Sequence, residues 1–191
     1  MSLFNNAIYN VLCMSRNEIF LNFVNTIANI DDCNLIIKNL YLGNINYANN
    51  LEFLHSNNIG AIINCTENEP FNDYFNDKYK FRLSINDSKN EENINKFKLE
   101  IINCINFIEK CLDKNIQVYV HCYWGLMRSA TVVTGYLIKK YKIPYKDAIN
   151  IIKEKRPYSL SSLYNFNEVL EYVEYIFNNN NNNNEKNILI I

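Results

Sequence analysis

Cys122 and Arg128 stand with five residues between them, Gly125 at the middle of the gap and Ser129 directly after. They belong to the segment Val118-Tyr119-Val120-His121-Cys122-Tyr123-Trp124-Gly125-Leu126-Met127-Arg128-Ser129, in which a short β-branched run gives way to a loop and then to an apolar, helix-like stretch. A loop leading into a helix N-terminus aims several backbone N–H groups at one point, and the helix dipole adds positive potential there. Gly125 permits torsions closed to other residues and lets main chain approach an anion. The planar guanidinium of Arg128 can hold two phosphate oxygens at once. The same potential lowers the pKa of Cys122 and leaves a thiolate facing phosphorus. This set of residues is suited to phosphoryl transfer onto sulfur, with Tyr123, Trp124, Gly125, Leu126 and Met127 joining Arg128 to form the cradle.

A Cys and an Arg at this spacing are weakly specific in a chain with six cysteines and four arginines. The central Gly, the preceding His, the following Ser and the strand–loop–helix context make the pattern specific. A buried cysteine at a strand end beside a surface arginine would leave those other residues unexplained.

His-Cys-x-x-Gly-x-x-Arg-Ser resembles the signature of the dual-specificity protein phosphatases, within the protein tyrosine phosphatase superfamily. The resemblance extends over about residues 34–177. It takes in Leu40-Tyr41-Leu42-Gly43-Asn44, Ile62-Ile63-Asn64-Cys65-Thr66, and Arg156-Pro157 with Phe166 and Leu170. It implies that Cys122 is the nucleophile, that Arg128 clamps the phosphate, and that Ser129 steadies the thiolate as leaving group. The substrates implied are phosphoproteins carrying phosphotyrosine, phosphoserine or phosphothreonine, with no cofactor and no metal.

Ester cleavage also needs a proton for the departing oxygen and a base for the attacking water, and one carboxyl group can serve both steps. Asp87 is the candidate. It follows an expected strand, and Leu83-Ser84-Ile85-Asn86-Asp87-Ser88 resembles the family segment that carries the general acid. The plainer reading is a turn or helix-capping Asp; Asp73 and Asp77 match no pattern. His121 is expected to orient the loop without acid–base work, and His55 to be an ordinary helix residue. Met127 stands where the family usually has Ser, Trp124 is larger than the usual residue, and Ser162-Leu163 replaces a usual Pro-Asn. Trp124 could wall the pocket or pack on the domain. Cys65 is expected to fill core, with a reversible disulfide to Cys122 as its alternative.

These residues need strands and helices to position them. Residues 35–42 read as a strand or hairpin turning at Gly43-Asn44, 47–56 as a helix, 59–65 as a strand and 79–85 as another. Residues 91–111 carry Ile94, Phe97, Ile101, Ile105 and Ile108 at helical spacing. A buried strand over 116–120 and helices over 129–141, 145–155 and 162–177 complete an α/β domain, with a central mixed, mostly parallel sheet flanked by helices. Residues 1–33 form an extension with an amphipathic stretch, and 178–191 an Asn-rich, low-complexity tail. The abundance of asparagine is read as coding bias rather than chemistry.

With 191 residues, 48% of them hydrophobic, the chain suits one domain. A net charge of −1 and no basic stripe exclude general attraction to nucleic acid. No apolar run approaches the ~18 residues of a membrane span. Cysteines 13, 33, 65, 104, 111 and 122 show neither C-x-x-C pairs nor zinc spacing, so a reducing setting is expected, cytoplasmic or nuclear. Three other activities compete. Hydrolysis of phosphoinositides or RNA 5′-phosphates would call for extra cations, which 123–127 lack. A binding module without turnover would need no retained catalytic set, and a rhodanese-like sulfur carrier would not need Arg-Ser.

Overall fold

The computed structural model describes residues 33–88, 90–160 and 166–179. The expected N-terminal amphipathic stretch, Cys13, the Ser162-Leu163 pair and the tail from 180 lie outside the described residues. Five strands form one sheet in the order β1-β2-β5-β3-β4. Strands β1 (Cys33–Ile37) and β2 (Leu40–Gly43) pair antiparallel. Strand β5 (Gln117–His121) runs parallel to β2 and to β3 (Ile59–Asn64), and β3 runs parallel to β4 (Lys80–Arg82). The sheet is therefore mixed and mostly parallel.

The hairpin turns at Lys38-Asn39 rather than at Gly43-Asn44. Asn39 takes φ 66, a left-handed conformation that Asn tolerates better than most residues. Gly43 is instead paired within β2, and Asn44 caps the next helix, accepting a bond from Tyr47 N. The single helix expected over 47–56 is two short ones, α1 (Ile45–Ala48) and α2 (Leu51–Ser56). The break has a local cause: the side chain of Asn50 caps Phe53 N and starts a new helix. The strand expected over 79–85 keeps its ladder only to Arg82, and Ile85 N then bonds back to Leu83 O at 2.9 Å, bending the chain.

The remaining α-helices among the described residues are α3 (Glu91–Asp113), α4 (Arg128–Tyr141), α5 (Tyr145–Lys155) and α6 (Asn167–Glu174), with a 3-10 turn over Asp77–Tyr79 and a π turn over Tyr175–Asn179. Alternate residues of the strands serve two cores. Val118, Val120, Leu40, Leu42, Ala61 and Ile63 face the larger one, under Phe97, Ile101 and Ile105 of α3 and Val133 and Leu137 of α4. Tyr119, Ile59 and Ile62 face the smaller one, under Ala48, Leu54 and Phe75. Each such aliphatic side chain contributes roughly 1.5–3 kcal/mol on burial. Because β2, β5, β3 and β4 run the same way, their carboxyl ends meet along one edge, in the register Gly43, His121, Asn64, Arg82. Parallel sheets place ligands in the crevice at such an edge.

Candidate active site

Cys122 follows β5 directly, so the sheet fixes its position. The next residues close into a loop before α4 begins at Arg128. The loop is compact because Gly125 sits at φ 68, pressed so close to the end of β2 that a Cβ would overlap Gly43 O. Ile45 N donates to Tyr123 O at 3.2 Å, and the Tyr119 hydroxyl donates to Asn44 O at 2.7 Å, joining loop, β2 and β5. From the other side, Arg156 donates Nε to Gly125 O at 3.1 Å and Nη2 to Trp124 O at 3.5 Å, while Leu160 N donates to Leu126 O. With its carbonyls held on this far side, the loop is free to aim N–H groups inward. Gly125 N and the Ser129 hydroxyl both point at Cys122 Sγ, each at 3.3 Å.

Burial alone would raise the Cys122 pKa. The Arg128 guanidinium and the bonds from Ser129 outweigh burial and the opposing Asp87 charge, and the thiol is held below its ordinary value. Arg128 is itself buried, donating Nη1 to Ile85 O at 3.2 Å, with Nη2 3.5 Å from Asp87 Oδ2. The residue expected to supply the proton thus pairs with the same guanidinium that lowers the pKa of the sulfur. Asp73 lies away in the loop after β3, and Asp77 pairs with Lys80 at 3.0 Å.

His121 is buried, and that burial, reinforced by repulsion from Arg82 and Arg128, lowers its pKa to about 4 despite the bond to Cys122 O. The ring is neutral near pH 7, with Nδ1 3.3 Å from Cys122 O, and it stacks on Tyr119. Trp124 packs partly against the larger core and edge-on to Tyr123, and Met127 and Leu126 are buried in that core. Cys65 is fully buried, and burial pushes its thiol pKa well up, followed by the effects of Cys104 and Cys122. His55 lies edge-on to Tyr74, away from this cluster. Among the described residues no group of three His, Cys, Asp or Glu side chains is placed to hold a metal ion, and no helix is long and apolar enough to cross a membrane.

Three contributors were not singled out in the sequence. Arg156 enters there only with Pro157 as part of the family resemblance, with no role given, yet its side chain holds the loop carbonyls. Arg82 ties down the loop after β3 by donating to Thr66 O and Glu69 O. Asn93 grips the segment that carries Asp87. Arg156 reaches back 31 and 32 residues and Arg82 16 and 13, separations that motif spacing does not report, while Asn93 reaches only 5 to 7 residues but is one asparagine among many.

The comparisons with known proteins agree with this geometry. The family described as the dual specificity phosphatase catalytic domain matches residues 40–185. The chain is 34% identical over 144 residues to human dual specificity protein phosphatase 16, covering 75% of this chain and 21% of that protein. It is 36% identical over 132 residues to human dual specificity protein phosphatase 9, covering 69% and 33%. The crystal structure of DUSP15 matches with a TM-score of 0.64 at 28% identity, covering 75% of this chain and 87% of that one. The chain spans between about a fifth and a third of the length of these curated relatives. With a match over most of its length, this chain belongs to the dual specificity phosphatase catalytic-domain family of the protein tyrosine phosphatase superfamily.

Proposed function

We propose that residues 34–177 form a protein phosphatase domain that hydrolyses phosphotyrosine and phosphoserine or phosphothreonine through a cysteinyl-phosphate on Cys122. One observation carries this reading: a sulfur with depressed pKa receives Gly125 N–H and the Ser129 hydroxyl, with Arg128 alongside. The Cys122 thiolate attacks phosphorus in line while the P–O bond to the substrate side chain breaks. Asp87, as the neutral acid, protonates the departing oxygen. In the second step Asp87 as carboxylate takes a proton from water, whose oxygen attacks phosphorus. The S–P bond breaks, and the returning thiolate is stabilised by Ser129 and the loop amides. Arg128 holds two equatorial oxygens throughout, the main-chain amides of residues 123–127 hold the third, and His121 keeps the loop in place as a neutral ring.

Phosphoproteins are accordingly the proposed partners, in the cytoplasm or nucleus, where a low-pKa thiolate stays reduced. The competing substrates are phosphoinositides and RNA 5′-phosphates, whose additional phosphates call for cations that positions 123–127 do not carry. A panel of phosphopeptides, phosphoinositides and 5′-phosphorylated RNA, assayed with chelator present, separates them. Phosphopeptides bearing all three residue types are the expected substrates. Hydrolysis of phosphoinositides or RNA alone would contradict the reading, and so would loss of activity on chelation. Binding of vanadate with no turnover of any substrate, para-nitrophenyl phosphate included, would leave a phosphate-binding module instead.

A further inference from the structure

The loop that carries Asp87 has no regular structure of its own, yet both neighbours of Asp87 are held by one side chain. Asn93, on the first turn of α3, accepts Asn86 N–H at Oδ1 (3.1 Å) and donates Nδ2–H to Asn86 O (2.9 Å) and Ser88 O (2.6 Å). An amide has one acceptor oxygen and two N–H donors, so all its groups are engaged, and the donor on Asn86 N fixes which atom is oxygen. Asn93 is 7% exposed, and its own N–H is bonded to Asn90 Oδ1 at 2.8 Å. Ile94 and Phe97 follow it into the core, so this clamp is mounted on the rigid part of the molecule. We propose that Asn93 is the positioning residue of the general acid: it sets the peptide groups on both sides of Asp87 and so aims the carboxyl at the leaving-group oxygen. The inference rests on the acid role of Asp87 given above.

A residue that aims an acid matters in proportion to how much the leaving oxygen needs a proton. The test uses the full chain and a series of aryl phosphates, from nitrophenols that leave unaided to unactivated phenols. Asn93→Asp keeps the acceptor and removes both donors; Asn93→Ser and Asn93→Ala remove the clamp. Each variant is expected to lose kcat/KM, which reports only the step in which Asp87 acts as acid, by about tenfold or more on unactivated phenyl phosphates while staying within about twofold on the most activated one. Vanadate affinity should be retained. The decisive comparison is a cycle with Asp87→Asn: once the acid is gone, replacing Asn93 should cost no further kcat/KM on any substrate. An equal loss across the series, or a loss that adds to that of Asp87→Asn, would overturn the proposal and reduce Asn93 to a helix-start residue. Should Asp87→Asn itself leave the leaving-group dependence unchanged, the acid assignment fails instead, a distinct result. Asn93→Ser carries the test if the alanine variant does not fold, being the smaller loss of polar contact.

Discussion

A thiol sealed from water normally stays protonated, and Cys65 and Cys104 do, their pKa values raised first of all by burial. Cys122 is as deeply placed, yet its pKa is held below the ordinary thiol value by a neighbouring guanidinium and two bonds from Ser129, which outweigh burial. The same surroundings act on His121 in reverse, because burial and two arginines disfavour its cation. With a folded pKa of about 4 against an ordinary 6.5, His121 stays neutral in the folded chain between those values while the unfolded chain takes up a proton. Stability is therefore undiminished by this residue above pH 6.5 and declines as pH falls toward 4, by on the order of 3 kcal/mol in all. Denaturant midpoints measured between pH 7 and 5 should fall less steeply in His121→Asn than in the native chain. Parallel curves would show that the ring is not held neutral. His121 and Cys122 are thus tuned by one field, and the sequence gives the direction for Cys122 but not for His121.

At the level of elements, the phosphate loop depends on what surrounds it. Its inner face offers N–H groups only because its carbonyls are taken on the outer face by Ile45 N, Arg156 and Leu160 N. Gly125→Ala is expected to lose about 2–4 kcal/mol of stability, from a left-handed residue with a Cβ pressed onto β2, and most of its turnover. Thermal melts and kcat on para-nitrophenyl phosphate measure both; a variant with normal melt and normal kcat would contradict the packing. The loop itself was legible in sequence because Cys, Gly, Arg and Ser lie within eight residues. Its supports were not. Gly43-Asn44 reads as a turn from local propensity, yet its use is contact with Gly125 far along the chain. Asn39, Asn44, Asn50, Asn90 and Asn93 disappear into an asparagine-rich background, yet each sits at a turn, cap or clamp that suits an amide. The strand at the sheet edge reads too long because Leu83 and Ile85 alternate like strand residues while filling the core from a bent, irregular segment.

Across the whole molecule, the parallel run of four strands brings the ends of β2, β5, β3 and β4 to one edge, and both catalytic candidates hang from it. Cys122 extends β5, and Asp87 follows β4 by a short bent segment. Helix α3, anchored by Phe97 against Phe166 at 5.1 Å, then closes over that segment from the far side of the core. This general architecture was readable from alternating strand and helix patterns, since hydrophobic period survives the background of asparagine. The account as a whole requires sulfur, and no other atom, to receive the phosphoryl group. The direct measurement is mass analysis of protein quenched rapidly during turnover of para-nitrophenyl phosphate, whose leaving group departs without an acid, using Asp87→Asn to slow release of the intermediate. One phosphoryl mass is expected on the peptide containing Cys122, absent in Cys122→Ser, whose turnover should fall on the order of 10³-fold or more. Phosphoryl found on another residue, or steady turnover by Cys122→Ser, would contradict it.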